Sequence, residues 1–285
     1  MPGYSSLDDL VTEITTNGKF DNIFFQKTFA NGATSAAGRW HESFTATGIP
    51  TAGAFSGTAG VATAMDRSTT GALNIGANVS TDLRSLLTMQ LYTASTTMVP
   101  AVTILCDFLL YYPACVVTGT PTTLTQTGSL TRYTNGVGVR CIVCTQTANG
   151  ATQPALTLNY RDQSDNDAAA PFAMTSPVAS APISLLYAYT GAPFLPLNAG
   201  DTGIKRINSY TLATGTTGTV AFVLVKPLAV MPILAANTAS ERDFLSQLPS
   251  LPRIEDDACL GFITLIGGAM TTAQSLQGVV GHGWG

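Results

Sequence analysis

Two cysteines three positions apart, Cys141 and Cys144, form a lone CxxC, the spacing of a redox dithiol or of half a zinc site. They fall in an alternating stretch, RYTNGVGVRCIVCT at 132–145, and in a strand residues three apart point to opposite faces and cannot easily share a metal. Cys106, Cys115 and Cys259 add no second CxxC, so all five thiols are expected to be buried and reduced, with no disulfide framework. His41 and His282 are the only histidines, too few for a multi-histidine metal site. Neither has a recognisable nucleophile partner, and no G-x-S-x-G or H-E-x-x-H occurs.

Carboxylates offer two more candidates. Asp162, Asp165 and Asp167 could gather oxygen ligands around calcium, but the loop RDQSDND lacks the central Gly and the terminal Glu of an EF-hand and reads as a solvated turn. Glu255, Asp256 and Asp257 could do acid/base work, yet adjacent residues rarely converge on one substrate, and a polar turn is the expected role. The Gly-rich pieces TAGAFSGTAG at 51–60 and GTTGTV at 215–220 lack the Lys-Ser or Lys-Thr of a phosphate loop. The expectation is a non-enzyme with no catalytic residues, no cofactor and no metal.

The elements that carry these residues are mainly strands. Charged residues make up 11% of the 285, against roughly 25% in average soluble domains, and Thr, Ala, Gly and Ser stand in their place. Thr loses χ1 freedom in a helix and fits a pleated strand, so the composition favours β. A net charge of −4 with scattered Lys and Arg argues against coating nucleic acid. The opening MPGYSSLDDL lacks the n-region and h-region of a signal peptide, and the expected site of synthesis is a cytoplasm. The longest apolar run, 220–236, is broken by Lys226, Pro227 and Pro232, and no membrane segment is expected.

One helix is expected from Ser6, a capping residue, with Leu7, Leu10, Val11 and Ile14 at helical spacing and Asn17-Gly18 as its stop. From about 27 to 81 the chain is rich in Gly, Ala, Thr and Ser and without period, so it reads as an extended arm or long loops whose aromatics seek a partner surface. Strands are expected at 99–112, ended by Pro113, then within 130–145 after an Asn135-Gly136 turn, at 156–160, 183–189 and 203–212, with 197–201 as a turn. The run 220–225, apolar on both faces, predicts a strand covered on both sides. Ser240 is expected to cap a short helix to about Leu248, stopped by Pro249; CLGFITLIGG at 259–268 could add a strand, and GVVGHGWG is too apolar to hang free.

These readings give a mainly β fold: a jelly-roll-like β-sandwich over 89–235, an N-terminal helix and extended arm over 1–88, and a C-terminal short helix and tail over 236–285. The blocks DFLLYYP at 107–113, LTRYTNGVGVRC at 130–141, LTLNYRDQSDND at 156–167 and PLNAGDTGIKRINSYTLATGTTGTVAFVLVKPL at 196–228 resemble tailed-bacteriophage virion structural proteins. That resemblance covers about the middle half of the chain and carries no catalytic motif. It implies a decoration or cement protein on the outer capsid surface of a virion, bound to the major capsid protein and to copies of itself, with a trimer as one option. Trp40, Phe44, Phe55, Phe262 and Trp284 are the expected interface residues. The alternatives are a major capsid, tail or connector subunit, and a carbohydrate-binding module in which Trp40, Tyr160 and Trp284 stack on sugar.

Overall fold

In the computed structural model the described residues are 3–29, 37–117, 122–125, 128–147, 155–173, 185–187, 191–212, 217–247 and 251–285. One helix, α1 (Leu7–Thr15), is followed by β1 (Phe20–Phe29), β2 (Arg39–Glu42), β3 (Thr47–Ile49), β4 (Thr63–Ala64), β5 (Arg84–Tyr92), β6 (Ala101–Val116), β7 (Thr122–Thr123) and β8 (Arg140–Thr145). Then come β9 (Ala155–Asp162), β10 (Asp167–Ala173), β11 (Leu186–Tyr187), β12 (Ile204–Leu212), β13 (Thr219–Ile233), β14 (Ser240–Asp243), β15 (Arg253–Ile254), β16 (Leu260–Ile266) and β17 (Gln274–Trp284). The fold is mainly β, and its described strand pairs are antiparallel apart from one isolated bridge, Val61 to Thr125.

A seven-stranded sheet, ordered β11-β8-β13-β6-β16-β2 with β4 on β6, forms the central layer. Its two long strands, β6 and β13, pair from Thr219 opposite Val116 to Ile233 opposite Ala101, with bulges along the way. Side chains of β13 sort by parity: Val220, Phe222 and Leu224 enter one core, while Ala221, Val223 and Val225 enter another on the opposite face. This meets the two-sided burial expected of 220–225. A four-stranded sheet, β10-β9-β12-β7, covers the first face through Leu156, Leu158, Tyr160, Ile207 and Tyr210. Farther along that same face, Leu105, Met231, Ile233, Leu260 and Phe262 meet a six-stranded sheet, β14-β5-β17-β1-β3 with β15 on β5. Two sandwiches thus share one central sheet.

The opposite face is covered by the chain's own 40–72 stretch, not by a neighbour's surface. Trp40, Phe44, Phe55, Met65 and Ala72 pack there on Ile104, Cys106, Phe108 and Tyr111. Stacked rings, Phe44 on Phe55 at 5.0 Å and on Phe108 at 5.9 Å, explain how so aperiodic a segment is ordered. Residues expected to reach outward as an arm are therefore core-forming.

The C-terminal stretch differs from the expected tail in the same way. Strand β17 lies between β1 and β5, with Phe20 opposite Gly283 and Phe29 opposite Gln274. Its glycines allow the close fit: a Cβ at Gly281 would stand 2.4 Å from Thr88 Oγ1. The helix expected from Ser240 is instead β14, an edge strand paired with residues of β5. A short isolated helix is marginal and loses here to ladder bonds offered by β5, and the Asp243 carboxylate caps the turn that follows by accepting from Leu245 N at 2.8 Å.

Pro113 does not end its strand. At that point β6 bulges, with Val220 opposite Cys115 and Phe222 opposite Tyr112, and Ala114 takes a left-handed φ of 51°. The N-terminal helix is as expected: the Ser6 side chain accepts from Asp9 N at 3.0 Å. Gly136, at φ 75°, makes the turn before β8. Within the expected 183–189 strand, the described residues carry β11; the rest lies outside them.

Candidate assembly surface

Cys141 and Cys144 project into different cores on opposite faces of β8, so they cannot share a metal. All five thiols are free and buried, and burial pushes the thiols of Cys106, Cys141 and Cys144 up, away from the reactive thiolate. His41, in β2, and His282, in β17, lie in different sheets and are fully buried, with no hydrogen-bond partner for either ring nitrogen among the described residues. Burial holds the imidazole of His41 down to about 3 and that of His282 down to about 4, so both are neutral at pH 7.

Turn structure accounts for both acidic clusters. Asp162 accepts from the backbone N–H groups of Ser164 and Asn166, at 2.7 and 2.8 Å. Asp165 pairs with Lys205, and Asp167 with Arg161. Asp257 holds Arg67 at 3.0 Å, and Asp256 accepts from the N–H groups of Val79 and Ser80, so the second cluster ties down the 67–80 loop. Among the described residues no group of three metal-ligating side chains gathers. The most buried ion pair is structural too: Arg132 grips Asp107 through Nε at 2.9 Å and Nη2 at 2.8 Å, while Nη2 also donates to the carbonyls of Met65 and Phe108.

The expected interface residues need correction. Trp40, Phe44, Phe55 and Phe262 are buried within the chain and present no side chain to a neighbour in this fold. Trp284 is half-buried, its ring 6.0 Å from the Arg84 guanidinium. Tyr160, one of the residues considered for sugar stacking, is also in the core, with its hydroxyl on Asp201 and Asn198 N. These three aromatics, Trp40, Tyr160 and Trp284, form no joint platform.

Apolar side chains are exposed elsewhere, along one flank of the larger sandwich. Strand β8 pairs with β13 from Val220 to Val225, and beyond that point no described residue pairs with the outer edge of β13. Here Ala229, Met231 and Ile233 point into the core, and Val230, Pro232 and Leu234 point away; Val230 is 44% and Leu234 74% exposed. Pairing sets Pro232 beside Val102 and Val102 beside Leu265, both partly buried, which widens the apolar strip. Strand β14, the edge of the facing sheet, flanks it, and Arg242 bridges the two edges by donating to the Val230 carbonyl and lying 5.1 Å over the Phe244 ring. Two hollows open on this flank, of about 460 Å³ beside Leu234 and about 370 Å³ beside Val230.

Open strand edges invite uncontrolled pairing, and this flank resists it. Pro227 and Pro232 remove N–H donors from β13, and Glu241 and Arg242 put charges on β14. What remains is contact through side chains rather than ladder extension. The signal in the sequence was the alternation within LAVMPIL at 228–234, which reads as one apolar run until the inward set, Ala229, Met231 and Ile233, is separated from the outward set.

Compared with known proteins, the chain matches no family model and no curated protein sequence.

Proposed function

We propose that this chain is a non-catalytic structural subunit, a capsid decoration or cement protein of a virion, that docks on the shell through the β13–β14 flank. The observation that carries the proposal is the exposed apolar strip of Val230, Pro232 and Leu234 along the outward side of the β13 edge, beside β14, a surface suited to holding a neighbour. Support comes also from the sealed state of the titratable candidates: both histidines and all five cysteines are buried, and the acidic clusters are used up in turns and ion pairs. The resemblance of the middle half to tailed-phage structural proteins supplies the virion part of the reading. Contacts are made by the body of the fold, since residues 37–81 and 274–284 pack within the chain itself.

Electron microscopy and gel densitometry of purified particles test this directly: copies in the hundreds on the outer surface support decoration, a dozen or fewer place the protein in the tail or connector, and absence from particles refutes both. Leu234→Asp is expected to leave the melting temperature unchanged. It should weaken particle binding by about 10- to 100-fold, the loss of about 1.5–3 kcal/mol for one buried leucine.

A further inference from the structure

A different face of the molecule carries features the assembly reading does not use. The outer surface of the six-stranded sheet is built in rows set by the strand register. One row places Phe24 of β1 beside Val279 of β17 and Gln90 of β5. The next places Ile49 of β3 beside Gln26, then Gln277, then Tyr92. Another runs from Asn22 through Gly281 to Thr88. Inward neighbours, Ile23, Phe25, Leu91 and Val280, fill the core, so these rows are the outward set.

Three properties of the face bear on what it could hold. First, Phe24 is 69% exposed in the middle of a sheet, where an aromatic of that size ordinarily finds cover. Second, the rows on β1, β17 and β5 contain no Lys, Arg, Asp or Glu; charge enters only at the β14 edge, where Glu241 stands next to Gln90. Third, the side-chain amides of Gln26, Gln90 and Gln277 have no hydrogen bond to another described residue, while the Tyr92 hydroxyl is anchored on Asn237 Oδ1 at 3.2 Å. Each amide offers an acceptor oxygen and two donor hydrogens on a neutral group. The surface is hollowed here: a depression of about 330 Å³ is lined by Phe24, Gln90, Tyr92, Ala239, Gln277 and Val279.

We infer that this depression is a binding site for a neutral oligosaccharide. A sugar ring has an apolar C–H face that stacks on an exposed aromatic and an equatorial rim of hydroxyls that both donate and accept. Phe24 supplies the first contact, and Gln90, Gln277 and Tyr92 supply the second. Absence of charge on the rows favours neutral sugars, and the Glu241 carboxylate at the rim disfavours acidic ones while accepting from hydroxyls. A protein partner fits less well, because it would have to satisfy a cluster of amides in the centre of the contact, where interfaces are most apolar. The inference does not depend on the β13–β14 flank and survives if that surface has another role.

Isothermal titration of the full chain with hexasaccharides of glucose, mannose, galactose and N-acetylglucosamine tests the site, with hyaluronan and polygalacturonate hexasaccharides as acidic comparators. At least one neutral series should bind, with Kd of roughly 0.1–5 mM, and the acidic ones should bind more weakly. Phe24→Ala and Gln277→Ala, both at outward positions, should keep the wild-type melting temperature and weaken binding by about tenfold each. Leu234→Asp should leave sugar affinity unchanged. The inference is overturned if no neutral sugar binds up to about 10 mM, or if Phe24→Ala and Gln277→Ala change affinity by less than about twofold. It is overturned equally if Phe24→Ala abolishes particle binding while no sugar binds, since the face would then be a protein contact.

Discussion

Acid should weaken this protein in part through His41, and that contribution can be isolated by one substitution. His41 is buried beside the Phe29 ring, 5.8 Å between centroids, and its folded-state pKa of about 3 lies far below the ordinary 6.5. A histidine with a depressed folded pKa contributes stability that is complete above pH 6.5 and is lost as pH falls toward 3, because the unfolded state takes up the proton first. At pH 4 the gap from 6.5 amounts to about 3 kcal/mol at 1.36 kcal/mol per pH unit. His282, depressed to about 4, loses about 3 kcal/mol over the same interval. Glu42 works in the opposite direction: burial raises its carboxyl to about 7, so its native form holds a proton between 4.5 and 7 and stability from this group grows by about 3 kcal/mol on acidification. The three terms leave wild type weaker at pH 4 than at pH 7 by about 3 kcal/mol, a sizeable part of a typical 5–15 kcal/mol. His41→Leu removes one histidine term and two unpaired buried nitrogens. Urea unfolding of both proteins at pH 7 and pH 4 should therefore show the stability difference between them shifting by about 3 kcal/mol in favour of the variant at pH 4. A shift below about 0.5 kcal/mol would refute the reasoning, because it would mean that the His41 site takes up a proton as readily when folded as when unfolded.

Asp107→Ala leaves Arg132 buried without its carboxylate and should cost about 3–5 kcal/mol in urea unfolding, whereas the Asp107→Leu/Arg132→Met double variant should recover much of that loss. Gly261→Ala would bring a Cβ to 2.8 Å from the Phe108 ring, and the resulting overpacking should lower stability by about 1–3 kcal/mol. All five thiols should resist an aromatic disulfide reagent in the native protein and react together once urea unfolds it; a fast-reacting thiol at pH 7 would contradict their burial.

What could be read from the sequence depended on whether a pattern was local. Ser6 and the Leu7–Leu10–Val11–Ile14 spacing define α1 within ten residues, and the CxxC parity followed from strand geometry alone. The run 220–225 declared two-sided burial because every residue in it is apolar. By contrast, β1 was hidden in what read as the approach to an arm: Ile23, Phe25 and Phe29 alternate with Asn22, Gln26 and Thr28, but Phe24 falls out of phase and Lys27 occupies an inward position. Lys27 is fully buried, its ammonium donating to the Ala46 and Pro50 carbonyls, a solution visible only in three dimensions. The 240–243 stretch has good helix-start residues, and its strand state is imposed by the open edge of β5, which no local reading supplies. Aromatics at Trp40, Phe44 and Phe55 correctly announced burial; the covering partner was the chain itself.

The position of β17 also fixes the order in which this protein can be completed during synthesis. Phe20 and Gly283 are paired, so β1 leaves the ribosome long before its β17 partner exists, and β5 must wait for the same strand. Until then Phe25 and Phe29 on β1 and Met89 and Leu91 on β5 have no closed core, while β6, β8 and β13 can already pair. The six-stranded sheet is thus a late-closing half on an earlier-folding one. Pairings so distant in sequence form slowly, and chaperone demand should be set by the interval between the emergence of β13 and of β17.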